Sequence, residues 1–369
     1  MELIPYMEKH GHEQVVFCVN EDAGLRAIIA IHDTTLGPAL GGTRMWPYQS
    51  EEEALRDALR LARGMAYKAA AAGLNLGGGK AVIVGDPKKD KSEALFRAYG
   101  RFVDTLGGRY ITAEDVGTDV NDMEYIRMET RHVVGISKTM QGSGDPSPVT
   151  AHGVIQGLRA CAEERLHRDN LNGVSIAIQG LGKVGYYLCK FLSEEGVRIF
   201  GCDLDAENSE RARQEFGVEV VAPEAIIDVQ VDIFCPAALG GIVNDETMDR
   251  FRCQVIAGPA NNQLAEDRHG DELARRGILY APDYVINAGG LINVYVELEG
   301  YNRERAMVMT RGIYYNLKRV FAIARGQAIG THIAADRMAE ERIAAVRNVH
   351  KTYVPGMDRY PGRTRMPTR

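Results

Sequence analysis

The run Ile176-Ala-Ile-Gln-Gly180-Leu-Gly182-Lys183-Val184-Gly185 constrains the fold more than any other stretch of the chain. Three glycines in G-x-G-x-x-G spacing follow an apolar segment directly, and a helical pattern follows over 184–192. Such glycines permit a tight strand-to-helix turn, close approach of a pyrophosphate to the backbone, and close packing of helix on strand. The helix N-terminus then offers N–H donors and a positive dipole to the phosphates. Asp203 ends the next apolar run, eighteen residues past Gly185. There its carboxylate can accept hydrogen bonds from a ribose, whereas Asp203 and Asp205 together would repel a 2′-phosphate, so NAD is expected over NADP. Further β-rich runs at 218–221, 231–234, 254–257 and 278–281, separated by helical stretches, predict a parallel, doubly wound sheet.

At 369 residues the chain is long for one core, and two domains are expected. Apolar residues make up 45% and charged residues 25%, as in ordinary globular proteins, and the net charge of −6 leaves no electrostatic footprint for nucleic acid. No run approaches the ~18 apolar residues of a membrane span. Six scattered cysteines lack metal-ligand or disulfide spacing and point to reduced thiols in a cytoplasm, so no metal is expected. The Gly-, Ser- and Pro-rich stretch 141–148 is a boundary candidate. The expected division is residues 1–135 plus 331–369 as an α/β substrate and oligomerisation domain and 136–330 as the Rossmann domain, with a cleft between them. Residues 14–20 and 25–33 read as paired strands, Ser50 to Glu53 as a capping box opening a helix, and 81–85 as a short buried strand. A long helix is expected around 303–325, a shorter one around 335–349, and a surface tail rich in proline and arginine over 353–369.

Lys68 and Lys80 lie twelve residues apart, the first near the end of the predicted helix and the second behind Gly77-Gly78-Gly79. Glycines allow a backbone to approach a ligand, and a lysine behind them reads as one delivered by a loop into a cleft. Two amines brought together, with burial, lower the pKa of one toward neutrality, while the other stays charged and can hold a carboxylate. Asp115 follows the strand Tyr110-Ile-Thr-Ala, at the carboxyl end where open α/β sheets place ligands.

With the lysine pair, Asp115 and the glycine fingerprint in view, the chain resembles the Glu/Leu/Phe/Val amino-acid dehydrogenase family, and within it the bacterial leucine dehydrogenase branch. The resemblance runs over roughly residues 10–350 and is densest in 27–45, 51–80, 108–117 and 280–294. It implies NAD-linked oxidative deamination of an L-amino acid to a 2-oxo acid and ammonia. It further implies that Lys68 binds the substrate carboxylate, that Lys80 is the catalytic lysine and that Asp115 moves protons. Gly41, Gly42 and Met65 correspond to the wall of the substrate cleft, and Thr150 to a threonine near the nicotinamide amide. Asn262 and Asn287 correspond to asparagines where cofactor and substrate meet. Leu204 and Ala238 join the cofactor set. Relatives are homo-oligomers, octamers or dimers.

Glutamate dehydrogenases of the family carry a lysine where this chain has Leu40, so an apolar substrate side chain is expected. Leu40, Ala113, Val134, Leu291 and Val294 correspond to the family's side-chain pocket. Leucine dehydrogenases usually have Thr and Val at the positions of Val134 and Leu291, and Tyr295-Val296 is similar to the tryptophan-active relatives. Leucine and other branched-chain acids are expected first, with phenylalanine or tryptophan second. Two other readings compete. A hydroxy-acid dehydrogenase wants a histidine base, yet His32, His152 and His269 sit in no matching constellation. A non-enzymatic NAD- or amino-acid-binding regulator would be expected to lack Lys80 or Asp115, and both are present.

Overall fold

The computed structural model describes residues 2–349 other than 141 and 239, so the expected surface tail at 353–369 lies outside the described residues. The chain forms two compact units. Of the described residues, the first holds those up to Asp145, Val294–Asn302 and 339–349; the second holds Pro146–Asn293 and Arg303–Met338.

In chain order the first unit begins α1 (Leu3–His10), β1 (Gln14–Asn20), β2 (Leu25–Asp33), β3 (Ala39–Trp46) and α2 (Glu51–Ala71). It continues β4 (Gly77–Val84), α3 (Glu93–Thr105), β5 (Tyr110–Glu114) and α4 (Val120–Arg127). The five strands form one sheet in the order β1-β2-β4-β3-β5. β1 and β2 are antiparallel and in register from Gln14↔Ile31 to Asn20↔Leu25, as their β-rich composition suggests. β4 pairs antiparallel with β2 and parallel with β3, which pairs parallel with β5.

The alternation of strand side chains divides this sheet into two cores. Ile29, Ile31, Met45, Ala81, Ile83 and Tyr110 face one side, with Phe96, Tyr99 and Val103 of α3 and Met123 and Ile126 of α4. Ile28, Ala30 and Val82 face the other, against Ala54, Leu55, Ala58, Leu59 and Ala62 of α2. Lys80 alternates with Val82 and so belongs to the α2 side.

Three details of this unit differ from the sequence reading. Gly77-Gly78-Gly79 is not a loop: β4 begins at Gly77 and Lys80 lies within it. The glycines are there for packing, since a methyl group at Gly78 would collide with the Ala66 nitrogen and the Ala62 carbonyl of α2. β3 was not anticipated, because Gly41-Gly42 interrupts its apolar pattern, yet a side chain at Gly41 would strike the Gly79 carbonyl on β4. Ser50 does cap α2, accepting the Glu53 amide, but the Glu53 carboxylate accepts the Gln49 amide rather than completing a box with Ser50.

The second unit comprises α5 (Ser147–Cys161), β6 (Ser175–Gln179), α6 (Lys183–Glu194), β7 (Arg198–Cys202), α7 (Ala206–Phe216) and β8 (Glu219–Val220). β9 (Ile233–Pro236), β10 (Val255–Ile256), α8 (Asp267–Arg275), β11 (Leu279–Tyr280) and α9 (Asp283–Ile286) follow, then α10 (Gly289–Glu297), which passes to the first unit at Val294. The last elements are α11 (Arg303–Thr310), α12 (Gly312–Gln327) and α13 (Thr331–Val349), the last passing to the first unit at Ala339. The sheet is wholly parallel in the order β11-β10-β9-β6-β7-β8, so the chain starts centrally and winds outward both ways. Its core joins Ala177, Phe234, Ile256, Leu273 and Tyr280. α5 packs on α6 and α12; Gly157 leaves room for Ile286 and Leu317 there. The expected long helix over 303–325 is two helices that change at Arg311, and 283–290 holds the short α9, a turn and the start of α10 rather than a plain crossing. The helix expected over 335–349 begins earlier, at Thr331.

The unit boundaries also differ from the expected 135/136 and 330/331. The first unit extends to Asp145 and also holds Val294–Asn302, because the Glu297 carboxylate accepts the Gly135 amide at 3.1 Å and the Ser143 amide at 2.8 Å. The chain rejoins it at Ala339, where Arg342 donates to the Ala70 and Leu74 carbonyls at the C-terminal end of α2. Glu340 accepts from the Tyr67 hydroxyl and Arg347 pairs with Asp33.

Candidate active site

The first cluster lies on the α2 side of the five-stranded sheet. Register places Leu40 opposite Gly78 and Ile111, and Gly42 opposite Ala113. By alternation Leu40, Gly42, Arg44, Lys80 and Ala113 share one face. Leu40, Ala113 and Val134 are buried, Val134 following the short bridge from Val133 to Thr112. Lys68 occupies the last turn of α2, whose Ala62 and Ala66 press on Gly78, two residues before Lys80. Met65 is half-buried on the same helix.

Lys80 is 5% exposed, and its Nζ donates to Asp115 Oδ2 at 2.5 Å. Asp115 sits just past β5, its amide donating to Thr118 Oγ1, which in turn donates to the Thr43 carbonyl. A side chain at Gly42 would lie 2.8 Å from Asp115 Cβ, so the glycine gives the carboxylate its place. Burial pushes the Lys80 amine below its ordinary value and the Arg44 guanidinium adds to that, against the opposing pull of Asp115. For Asp115, burial opposes ionisation, but Lys80 and Arg44 outweigh it and hold the carboxyl below its usual range. The pair therefore joins an amine whose basicity burial lowers to a carboxylate that its two cations hold ionised.

Sequence reasoning missed Arg44 and Asp57. Arg44 Nε donates to Asp115 Oδ2 at 3.1 Å and its Nη1 to Asp57 Oδ2 at 2.9 Å. Asp57 also accepts the Tyr48 hydroxyl at 2.7 Å. Two signals were legible. Arg44 alternates with Leu40 and Gly42, and Asp57 precedes Lys68 by eleven residues, which leaves them about 20° apart around a helix of 3.6 residues per turn.

The second cluster surrounds β6 and α6. Gly180 has φ +104°, and a side chain there would meet Ala237 and Ala238 at 2.9 Å. A side chain at Gly185 would collide with the Gly180 carbonyl, while one at Gly182 would enter open space. Gly182 precedes α6 with no side-chain cap, and Lys183 and Val184 form its first turn. The first and third glycines thus shape the turn, and the second leaves a cradle bare for an anion. Asp203 Oδ2 accepts the Leu181 amide at 2.7 Å and Oδ1 the Asp205 amide at 2.9 Å, tying it to the glycine turn beside the exposed Leu204. Asn287 donates to the Asn261 side chain and the Pro259 carbonyl, but its buried Oδ1 has no partner among the described residues. Asn262 is exposed with φ +51°, and Thr150 Oγ1 donates to the Pro146 carbonyl. These features fit a dinucleotide. Of the expected side-chain pocket, Leu291 belongs to this unit and Leu40, Ala113, Val134 and Val294 to the first.

Residues 12–132 match the family described as "Glu/Leu/Phe/Val dehydrogenase, dimerisation domain", and residues 204–351 match "Glutamate/Leucine/Phenylalanine/Valine dehydrogenase". The chain belongs to the Glu/Leu/Phe/Val dehydrogenase family. The dehydrogenase is 60% identical to leucine dehydrogenase of Geobacillus stearothermophilus, over 96% of each chain. It is 59% identical to that of Thermoactinomyces intermedius, over 96% of this chain and 97% of the relative. Among solved structures, L-tryptophan dehydrogenase from Nostoc punctiforme matches at 48% identity with a TM-score of 0.84, covering 94% of this dehydrogenase and 99% of that chain. The amino-acid dehydrogenase reading and the two-domain α/β fold with a Rossmann-type sheet follow.

Asp245, Glu266 and His269 offer ligand atoms within 4.8 Å of one another, a cluster not seen in the sequence. Arg268 donates to both carboxylates and His269 Nδ1 accepts the Glu266 amide, so the group is satisfied as an ion-pair network. Among the described residues no helix is long and apolar enough to cross a membrane.

Proposed function

We propose that this dehydrogenase catalyses the reversible, NAD-dependent oxidative deamination of an apolar L-amino acid, leucine and other branched-chain acids foremost, to the 2-oxo acid and ammonia. The observation that carries this reading is the buried Lys80 amine on Asp115 Oδ2, set on the same sheet face as Leu40 and Ala113. The glycine turn, Asp203, Asn262, Asn287 and Thr150 would hold the cofactor. When bound, NAD would supply the acceptor for the hydride of the substrate α carbon.

The chain's own residues do the rest. Lys68 stays charged and anchors the carboxylate. Asp115, held ionised, takes a proton from the ammonium so that the nitrogen can become an imine. Neutral Lys80 removes a proton from water as the oxygen attacks the imine carbon, Asp115 returns a proton to the nitrogen, and ammonia departs as the carbinol oxygen gives up its remaining proton and becomes the carbonyl. Water and the amino acid thus yield oxo acid and ammonia, with two electrons leaving as hydride and two protons released. Leu40 supports an apolar side chain, because a carboxylate buried against it would lack a partner. The match of residues 12–132 to a dimerisation domain supports a homo-oligomer. Six free cysteines support a reducing, cytoplasmic setting.

A second reading, phenylalanine or tryptophan as substrate, draws on Leu291 and Tyr295-Val296 and on the likeness to the tryptophan enzyme. Pocket volume decides only about 1–3 kcal/mol per methylene, so the two readings differ by degree. NADH formation measured as kcat/KM across Leu, Ile, Val, Phe, Trp and Glu tests both. Leucine, isoleucine and valine are expected to lead. An aromatic leader would favour the second reading, and activity on none would sink both. Lys80→Ala and Asp115→Asn are expected to fold and lose about 100-fold or more in kcat, as removal of a general acid or base does.

A further inference from the structure

Arg44 and Asp57 play no part in the scheme above, yet they are built into it. Lys80 Nζ and Arg44 Nε converge on one oxygen, Asp115 Oδ2. The other arm of the guanidinium is fixed by Asp57, which Tyr48 and Arg60 hold in turn. All four charged side chains of this chain of contacts are largely sheltered: that of Lys80 is buried, and those of Asp57, Arg44 and Asp115 are 15%, 23% and 23% exposed. Arg44, Asp57, Tyr48, Trp46 and Val116 also line a cavity of about 410 Å³.

The geometry points to Arg44 as a positioning residue that, braced by Asp57, fixes the orientation of the Asp115 carboxylate and with Asp57 sets the electrostatic field at the Lys80 amine. This rests on the roles proposed above for Lys80 and Asp115. A planar fork can bridge two carboxylates at set spacing, which a lysine cannot do. Held this way, Asp115 turns a fixed oxygen to Lys80. The two braces act on that amine with opposite sign: Arg44 favours its neutral form and Asp57 its charged form. Other charged or titratable groups on the elements against β4 include Arg60, Arg63, Tyr67 and Lys68 on α2, Arg26, His32 and Asp33 on β2, and Tyr110 and Glu114 on β5.

The test is the pH profile of kcat with saturating leucine and NAD, which reports groups in the ternary complex. In Arg44→Gln the rising alkaline limb is expected to move up by about half a pH unit or more, with kcat down about tenfold at pH 8. In Asp57→Asn it is expected to move down. Arg44→Lys keeps the charge, so the limb stays near its original place while kcat falls. A bracing role in folding alone would lower yield or Tm without moving the limb. Unmoved limbs in both Arg44→Gln and Asp57→Asn, or shifts of the same sign, overturn the inference. If Arg44→Gln fails to fold, the direction of the Asp57→Asn shift decides. Lys80→Ala separates the two claims. Retained turnover there removes the underlying reading and this one with it. Lost turnover with unmoved limbs removes only the role of Arg44.

Discussion

Gly78 of β4 lies directly beneath Ala66 of α2, so near that the backbone nitrogen of the alanine occupies the space a methyl group on the glycine would need. The contact brings α2, with Asp57 and Lys68, onto the strand that carries Lys80.

Gly78→Ala should therefore be costly. Backbone cannot step aside as a side chain can, so the helix must lift, at about 1–3 kcal/mol or more for overpacking. Thermal unfolding is expected to show a clear drop in Tm, and kcat should fall further than the loss of folded protein explains. A variant with unchanged Tm and kcat would mean that the helix is not held where it appears.

Asp203 accepts two backbone amides, that of Leu181 in the glycine turn and that of Asp205 just beyond it, and these fix its carboxylate after the end of β7. Asp203→Asn is expected to raise KM for NAD several-fold and to raise the ratio of NADP to NAD activity, since the charge that would repel a 2′-phosphate is gone. The two kcat/KM values measured side by side check this, and an unchanged ratio would remove Asp203 as the discriminator.

His32 should make the protein acid-sensitive. Its ring is 6% exposed, its Nε2 bonds the His10 carbonyl, and its Nδ1 has no partner among the described residues. Burial lowers its pKa from 6.5 to about 4, and the neighbouring His12 ring adds to that. The unfolded chain then binds more protons than the folded one between those values. Stability is full above pH 6.5 and falls as pH drops toward 4, by roughly 3 kcal/mol for such a shift. Urea unfolding across this range should be markedly flatter in His32→Gln than in the parent chain.

How much was legible in the residues differs between the units. In the second, every β-rich run read from the sequence contains a strand; most are short, apolar and buried, as strands covered on both faces are, although β8 is an exposed edge and β9 passes to β10 without a helix. In the first, β3 escaped notice. Its Gly41 and Gly42 are dictated by a neighbouring carbonyl and by Asp115, and these are contacts across the sheet that a local pattern does not carry. The same holds for the site. Lys68, Lys80 and Asp115 stood out through their surroundings in the chain. Arg44 and Asp57 resemble any surface pair until strand register and helix phase put them beside Asp115.

The placement of Lys80 within β4 has a consequence for how such an enzyme could be retuned. An amine on a mobile loop gains or loses basicity as the loop wanders, and its average environment can be altered by changing hinge residues. This amine is mounted on a central strand with ladders on both sides, so its surroundings vary only when the core itself is repacked. Adapting this enzyme to a different working pH would accordingly call for exchanging charges one layer away, with the lysine and its strand left untouched.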